Sequence, residues 1–181
     1  MKSISYLSAL GGVAVAEESE RQHSMVLSLL LAVARHSIIV ISVVMVLVTL
    51  AQVVFRYVLA APLPWSEELA RYCFVWIVFL GAAIGLERGF HLGVDLFVNL
   101  LPPRFQIGLD VLTSVLIAIF AAAVIYASFP VISMNLLQRS PALGVQMAWI
   151  YLAIPISMVL IGLISISRVL ETLRGRAEKE N

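Results

Sequence analysis

The spacing of charges constrains this chain most, because it leaves uncharged stretches as long as a bilayer is thick. Between Arg35 and Arg56 lie twenty residues without Asp, Glu, Lys or Arg. As a helix rising about 1.5 Å per residue they cover about 30 Å, the depth of a hydrocarbon core. With 61% of its 181 residues hydrophobic, 13% charged and a mean hydropathy of +1.01, the chain carries more apolar surface than one small soluble core hides. Twelve Lys and Arg against eleven Asp and Glu leave a formal charge of +1, which argues against a nucleic-acid binder driven by bulk charge. The single cysteine, Cys73, excludes an intramolecular disulfide and a cysteine-built zinc or iron–sulfur site. The chain reads as an all-α integral membrane protein.

Four transmembrane helices are expected. The first is Ser37–Phe55. The second is Glu67–Leu86, with Ser66 as N-cap and Glu67 and Glu68 in its positive first turn. The third starts about Pro103 and Arg104 and ends at Phe129, before Pro130; the fourth is Met147–Ser167, kinked by Pro155. These spans (37–55, 67–86, 104–129, 147–167) form a membrane domain over 36–168, between a leader, 1–35, and a tail, 169–181.

An even number of spans puts both termini on one side. Lys2, Arg21, Arg35, Arg88, Arg104, Arg168, Arg174, Arg176 and Lys179 fall there, against Arg56, Arg71 and Arg139 opposite. The positive-inside rule then makes the termini cytoplasmic. Tyr57, Trp65, Tyr72, Trp149 and Tyr151 fall at the outer interface as an aromatic belt, while Trp76 lies deeper and is read as packing. Met1–Ala16, with Ala14-Val15-Ala16 before Glu17, has the look of a cleaved signal peptide. Cleavage would invert the charge count, so a cytoplasmic leader is the preferred reading.

The polar residues inside or beside the spans are few. Ser42, Thr49, Gln52 and Arg56 share one face of the first span, read as bonding to neighbouring helices rather than lining a solute path. Gly81-Ala82-Ala83-Ile84-Gly85 is a small-xxx-small pattern that lets another backbone approach. Arg56, Glu67, Glu68 and Arg71 surround the first loop, and Arg71 follows both acids at helical spacing, so the four are expected to form a clamp at the membrane surface. Between spans two and three, Arg88, His91, Asp95 and Asn99 share one helical face, while Leu92, Leu96, Phe97, Leu100 and Leu101 cover the remainder. This reads as an interfacial amphipathic segment. His91 and Asp95 have metal-ligand spacing, but two ligands do not make a site. Asp110, two turns into span three, is read as a structural partner for water or Arg88.

Several local sequences resemble one family in matching order. They are Arg56-Tyr57-Val58; Pro62-Leu63-Pro64-Trp65-Ser66-Glu67-Glu68-Leu69-Ala70-Arg71-Tyr72; Gly81-Ala82-Ala83; His91-Leu92-Gly93-Val94-Asp95; Leu101-Pro102; Ser140-Pro141-Ala142-Leu143; Trp149; and Tyr151-Leu152-Ala153-Ile154-Pro155. This resembles the small membrane subunit of tripartite ATP-independent periplasmic (TRAP) transporters. Two positions depart from the family pattern: Ala60, where members often have Asn, and Ser157, where members often have a Gly shortly after the proline. The resemblance implies a scaffold in the bacterial inner membrane, partnered by a large multi-span carrier subunit and a soluble periplasmic substrate-binding protein. It implies sodium-coupled uptake of an organic acid, with sodium and solute on the large partner and no catalytic, cofactor or metal residue in this chain. A rival from another class is a haem-bearing respiratory anchor using His36 and His91. An enzyme is not suggested, since no nucleophile stands beside a base.

Overall fold

The computed structural model describes the backbone of residues 2–88 and 103–180, and the side chains of 25–88, 106 and 108–172. Among the described residues five helices follow one another: α1 (Lys2–Tyr57), α2 (Pro64–Glu87), α3 (Pro103–Met134), the single turn α4 (Ala148–Tyr151) and α5 (Ala153–Glu180). Four apolar stretches in them are long enough to cross a membrane: Met25–Tyr57, Pro64–Glu87, Gly108–Met134 and Ala148–Thr172.

The helix boundaries correct several expectations. The first helix is longer than the first span, because the backbone is helical from Lys2 onward and no proline occurs before Pro62 to break it. Span two starts at Pro64, with Leu63 in extended conformation as its N-cap. Ser66 is not the cap; its hydroxyl donates to Leu63 O at 2.6 Å and is fully buried. A proline at the first helical position lacks only a donor that would be unpaired anyway. Span three runs through Pro130 to Met134. Serines nearby bond carbonyls of the same helix, Ser128 Oγ to Val124 O and Ser133 Oγ to Pro130 O, which is how membrane helices accommodate proline. The kink from Pro155 appears as an interruption at Leu152, between α4 and α5, next to the i−4 carbonyl that the ring displaces.

The helices pack as a row rather than as a closed bundle. α1 packs on α2, α2 on α5, and α5 on α3 and lightly on α1, while no described residue of α3 comes within 8 Å, Cα to Cα, of α1 or α2. The core lies along α5, where Met158, Leu160 and Ile161 meet Leu80, Ala83 and Ile84 of α2, Ala121 of α3 and Ala34 of α1. Small residues set the distances: Ala83 is fully buried and Ala121 nearly so, and a Cβ on Gly162 would lie 3.8 Å from the Ala121 methyl. Trp76 packs against this core, as expected.

Two loops join the spans at one end of the row. After Tyr57 the chain turns back through Ala60, at φ +50°, and Ala61 N–H donates to Phe55 O at 2.9 Å. After Met134 a tight hairpin brings Arg139 opposite Gln146, with Gly144 at φ +68° supplying its left-handed residue. The segment between α2 and α3, expected to be amphipathic and holding His91, Asp95 and Asn99, lies outside the described residues.

Candidate functional site

The polar side chains concentrate at the two ends of α2. At the loop end, the first turn of α2 presents two adjacent carboxylates that face different neighbours. Glu67 turns toward α1, where Gln52 Nε2 donates to its Oε1 at 3.0 Å and Arg56 Nη1 lies 3.8 Å away. The guanidinium of Arg56 also sits 5.9 Å from the centre of the Tyr57 ring. Both members of the ion pair are more than half exposed, so it contributes little by itself. The Gln52 bond confirms that part of the polar face of span one serves a neighbouring helix. Thr49 instead bonds its own helix, at Met45 O.

Glu68 reaches across to the α3–α4 hairpin. A single oxygen, Oε2, accepts from Ser140 Oγ at 2.7 Å, Leu143 N at 2.9 Å and Ala142 N at 3.1 Å. The same hydroxyl accepts from Leu143 N at 3.2 Å, and the hairpin closes on itself through Ser140 N to Val145 O and Met147 N to Gln138 O. A carboxylate gathering backbone N–H groups is a strong, charge-assisted contact. It ties the start of span two to the start of span four. One turn on, buried Tyr72 donates to the sulfur of Met147 at 3.4 Å. Tyr72 is therefore a packing residue and not part of an exposed belt, whereas Tyr57, Trp65 and Trp149 are exposed.

The expected four-residue clamp is thus divided. Arg56 joins Glu67, Glu68 joins the hairpin, and Arg71 is exposed with no hydrogen bond or ion pair among the described residues. Its helical spacing to both acids was suitable, but the acids point to neighbouring elements that offer closer donors.

The opposite end of α2 holds a second node that the sequence reading did not identify. Arg35 Nη2 of α1 contacts both oxygens of Glu87, at 3.1 and 3.3 Å. Arg168 of α5 donates to the Leu86 carbonyl and, at 3.2 Å, to that of Glu87. The last carbonyls of a helix lack intrahelical donors and carry the negative end of its dipole, so a cation there is favoured. α2 is therefore fastened at both ends, to α1 twice, to the hairpin and to α5.

The remaining expected residues stand apart from these nodes. Gly81 and Gly85 lie on the side of α2 away from its buried face, and a Cβ on either would meet nothing within 4 Å. Asp110 is exposed and makes no ion pair among the described residues. His36 is exposed, with Nδ1 2.8 Å from Ala32 O of its own helix. His91 and Asp95 lie outside the described residues. Ser157 is fully buried, and its hydroxyl has no hydrogen-bond partner among the described residues.

Comparison with known proteins finds one family throughout. Residues 45–175 match the family described as "Tripartite ATP-independent periplasmic transporters, DctQ component". A Haemophilus influenzae protein assigned as a TRAP transporter small permease is 32% identical over 121 residues, 67% of this chain and 75% of that protein. The isethionate TRAP transporter permease protein DctMQ of Oleidesulfovibrio alaskensis is 34% identical over 119 residues, 65% of this chain but only 18% of that longer protein. The sialic acid TRAP transporter small permease protein SiaQ of Vibrio cholerae is 27% identical over 108 residues, 60% of this chain and 62% of that protein.

Proposed function

Since the chain belongs to the DctQ family, the small permease subunits of TRAP transporters, we propose that it is the scaffold of a sodium-coupled carrier and holds none of the transport chemistry itself. It is a multi-pass membrane component of a transporter, not an enzyme, and membership of this family displaces the haem-anchor reading. The observation that carries the proposal is the use made of Glu67, Glu68 and Glu87. Each acid is engaged by a neighbouring element of the same chain, so the charges fix helix ends instead of lining a path. An ion-coupling group has to bind its ion differently in two states of the carrier, and an acid committed to the fold is poorly suited to that.

The partner is a large permease subunit. A relative that carries this region within a much longer permease chain supports the association. A soluble periplasmic binding protein delivers the solute, and sodium and solute bind on the large subunit. The relatives are named for isethionate and sialic acid, which supports an organic anion as the substrate class. The charge asymmetry supports an inner-membrane orientation with both termini in the cytoplasm.

Uptake into proteoliposomes tests this function. The chain alone should transport nothing, and the assembled complex should transport its substrate only with an inward sodium gradient. Asp110→Asn should leave the sodium dependence unchanged; a shifted dependence in an intact complex would move coupling into this subunit. Orientation is tested in a Cys73→Ala background. Pro62→Cys should react with an impermeant thiol reagent on intact cells and Asn99→Cys should not, and the reverse pattern would invert the topology.

A further inference from the structure

The row of helices leaves a groove where α2 and α3 both lean on α5 without meeting. It holds about 380 Å³ and is lined by Ala82, Gly85 and Leu86 on one wall and Ile117 and Phe120 on the other, with Met158 and Ile161 at its floor. It adjoins one face of α2. At 100° per residue, Arg71, Phe74, Val78, Gly81 and Gly85 fall within roughly 80° of one another. Tyr72, Leu80 and Ala83, which are buried, lie on the other side. Phe74 and Val78 are 58% and 47% exposed, so no described residue of this chain covers the face.

Three observations point to a protein helix on that face. First, glycine inside a helix is unfavourable relative to alanine, and here the packing of the described residues does not require it, because a Cβ at 81 or 85 meets open space among them. Small residues at such spacing allow close backbone approach between membrane helices. Lipid tails gain nothing from them. Second, Arg71 is on the same face, exposed and without a partner among the described residues. Beside apolar neighbours this cation calls for an anionic or carbonyl acceptor. Third, the groove flanks this stripe, so a helix seated on α2 also finds the α3 wall to pack against.

We infer that the Arg71–Gly85 face of α2, with the adjoining α2–α3 groove, is the seat of a transmembrane helix of the large permease subunit. That helix packs against Gly81 and Gly85 and offers an acceptor level with Arg71. The inference rests on the partnership proposed above and adds where the contact lies.

The test co-expresses the tagged chain with its large subunit and measures recovery of the complex. Gly81→Leu and Gly85→Leu add bulk only to open space within the chain, so each variant should accumulate like the wild type but recover at least tenfold less partner. Gly85→Ala should retain most of the partner, and Arg71→Gln should recover less than Arg71→Lys. A photoreactive benzoylphenylalanine at Val78 should cross-link to the large subunit, which keeps the idea testable if a leucine variant fails to insert. Normal recovery with both leucine variants, or cross-linking from position 78 to lipid alone in an intact complex, would overturn the assigned face. A wild-type chain that recovers no large subunit would instead overturn the partnership.

Discussion

Replacing Arg168 by methionine keeps an unbranched apolar stem and removes the guanidinium that closes the end of α2. Two contacts are lost, to the carbonyls of Leu86 and Glu87. Hydrogen bonds from charged donors contribute about 1.5–3 kcal/mol net, and a partly buried cation at a helix C-terminus contributes up to about 2 kcal/mol. These figures describe the same contacts and do not add. Water also reaches a helix end, so a loss near 2 kcal/mol is the working value, about 30-fold in the folding equilibrium. The matched control is Arg88→Met. That residue is one position beyond Glu87, exposed, with no side-chain bond among the described residues, and its loss should stay within about 0.5 kcal/mol. Unfolding in mixed micelles, titrated with a denaturing detergent and followed by tryptophan fluorescence, reads both. The Arg168→Met transition should come at clearly lower denaturant than that of the wild type. If Arg168→Met and Arg88→Met unfold together, water satisfies those carbonyls equally well and the node fastens nothing.

Glu68→Gln should leave the spans folded but release the hairpin, seen as faster hydrogen exchange at the amides of Ala142 and Leu143 and unchanged exchange in the centre of α5. Ala60→Gly should stabilise the subunit by about 0.5–1 kcal/mol, because relief of a left-handed alanine, about 1–2 kcal/mol, exceeds the added freedom of the unfolded glycine; an equal or lower unfolding midpoint would count against this. Ser157→Ala removes a fully buried hydroxyl that has no partner and should gain about 1 kcal/mol, raising the melting temperature by about 2–4 °C. A loss of stability there would mean that the hydroxyl is bonded in the membrane.

The four spans were legible because bilayer thickness turns a count of uncharged residues into a helix length. The ends were less legible, because caps and prolines act over single residues: Ser66 has the chemistry of a cap but comes two residues after the helix has begun at Pro64. The outer acids were singled out, yet their partners were misjudged, since helical spacing favoured Arg71 and tertiary geometry offered Gln52, Arg56 and the hairpin instead. The Arg35–Glu87 pair had a usable signal. In an antiparallel helix pair, stepping from Arg56 back to Arg35 and from Glu67 on to Glu87 moves almost equally along both helices, so one ion pair at the loop end implies the other. Arg168 had no such signal, because its acceptors are backbone carbonyls that no residue type marks. The departure at Ala60 has a physical reading, since its φ of +50° is a conformation that asparagine tolerates better than alanine.

The division of labour between the ends and the faces bears on the scaffold role proposed for this subunit. A membrane helix gains little from apolar burial against its neighbours, because lipid tails are equally apolar; position must come from polar contacts and close packing. Here the polar contacts are spent at the ends of α2, and the close packing on the α5 side, at Ala83 and Ala121. That leaves the opposite face of α2 rigidly presented and uncovered by the described residues. A helix fixed at four points and open along one side can bear on a neighbour without being repacked by it. The scaffold role proposed for this subunit requires that property.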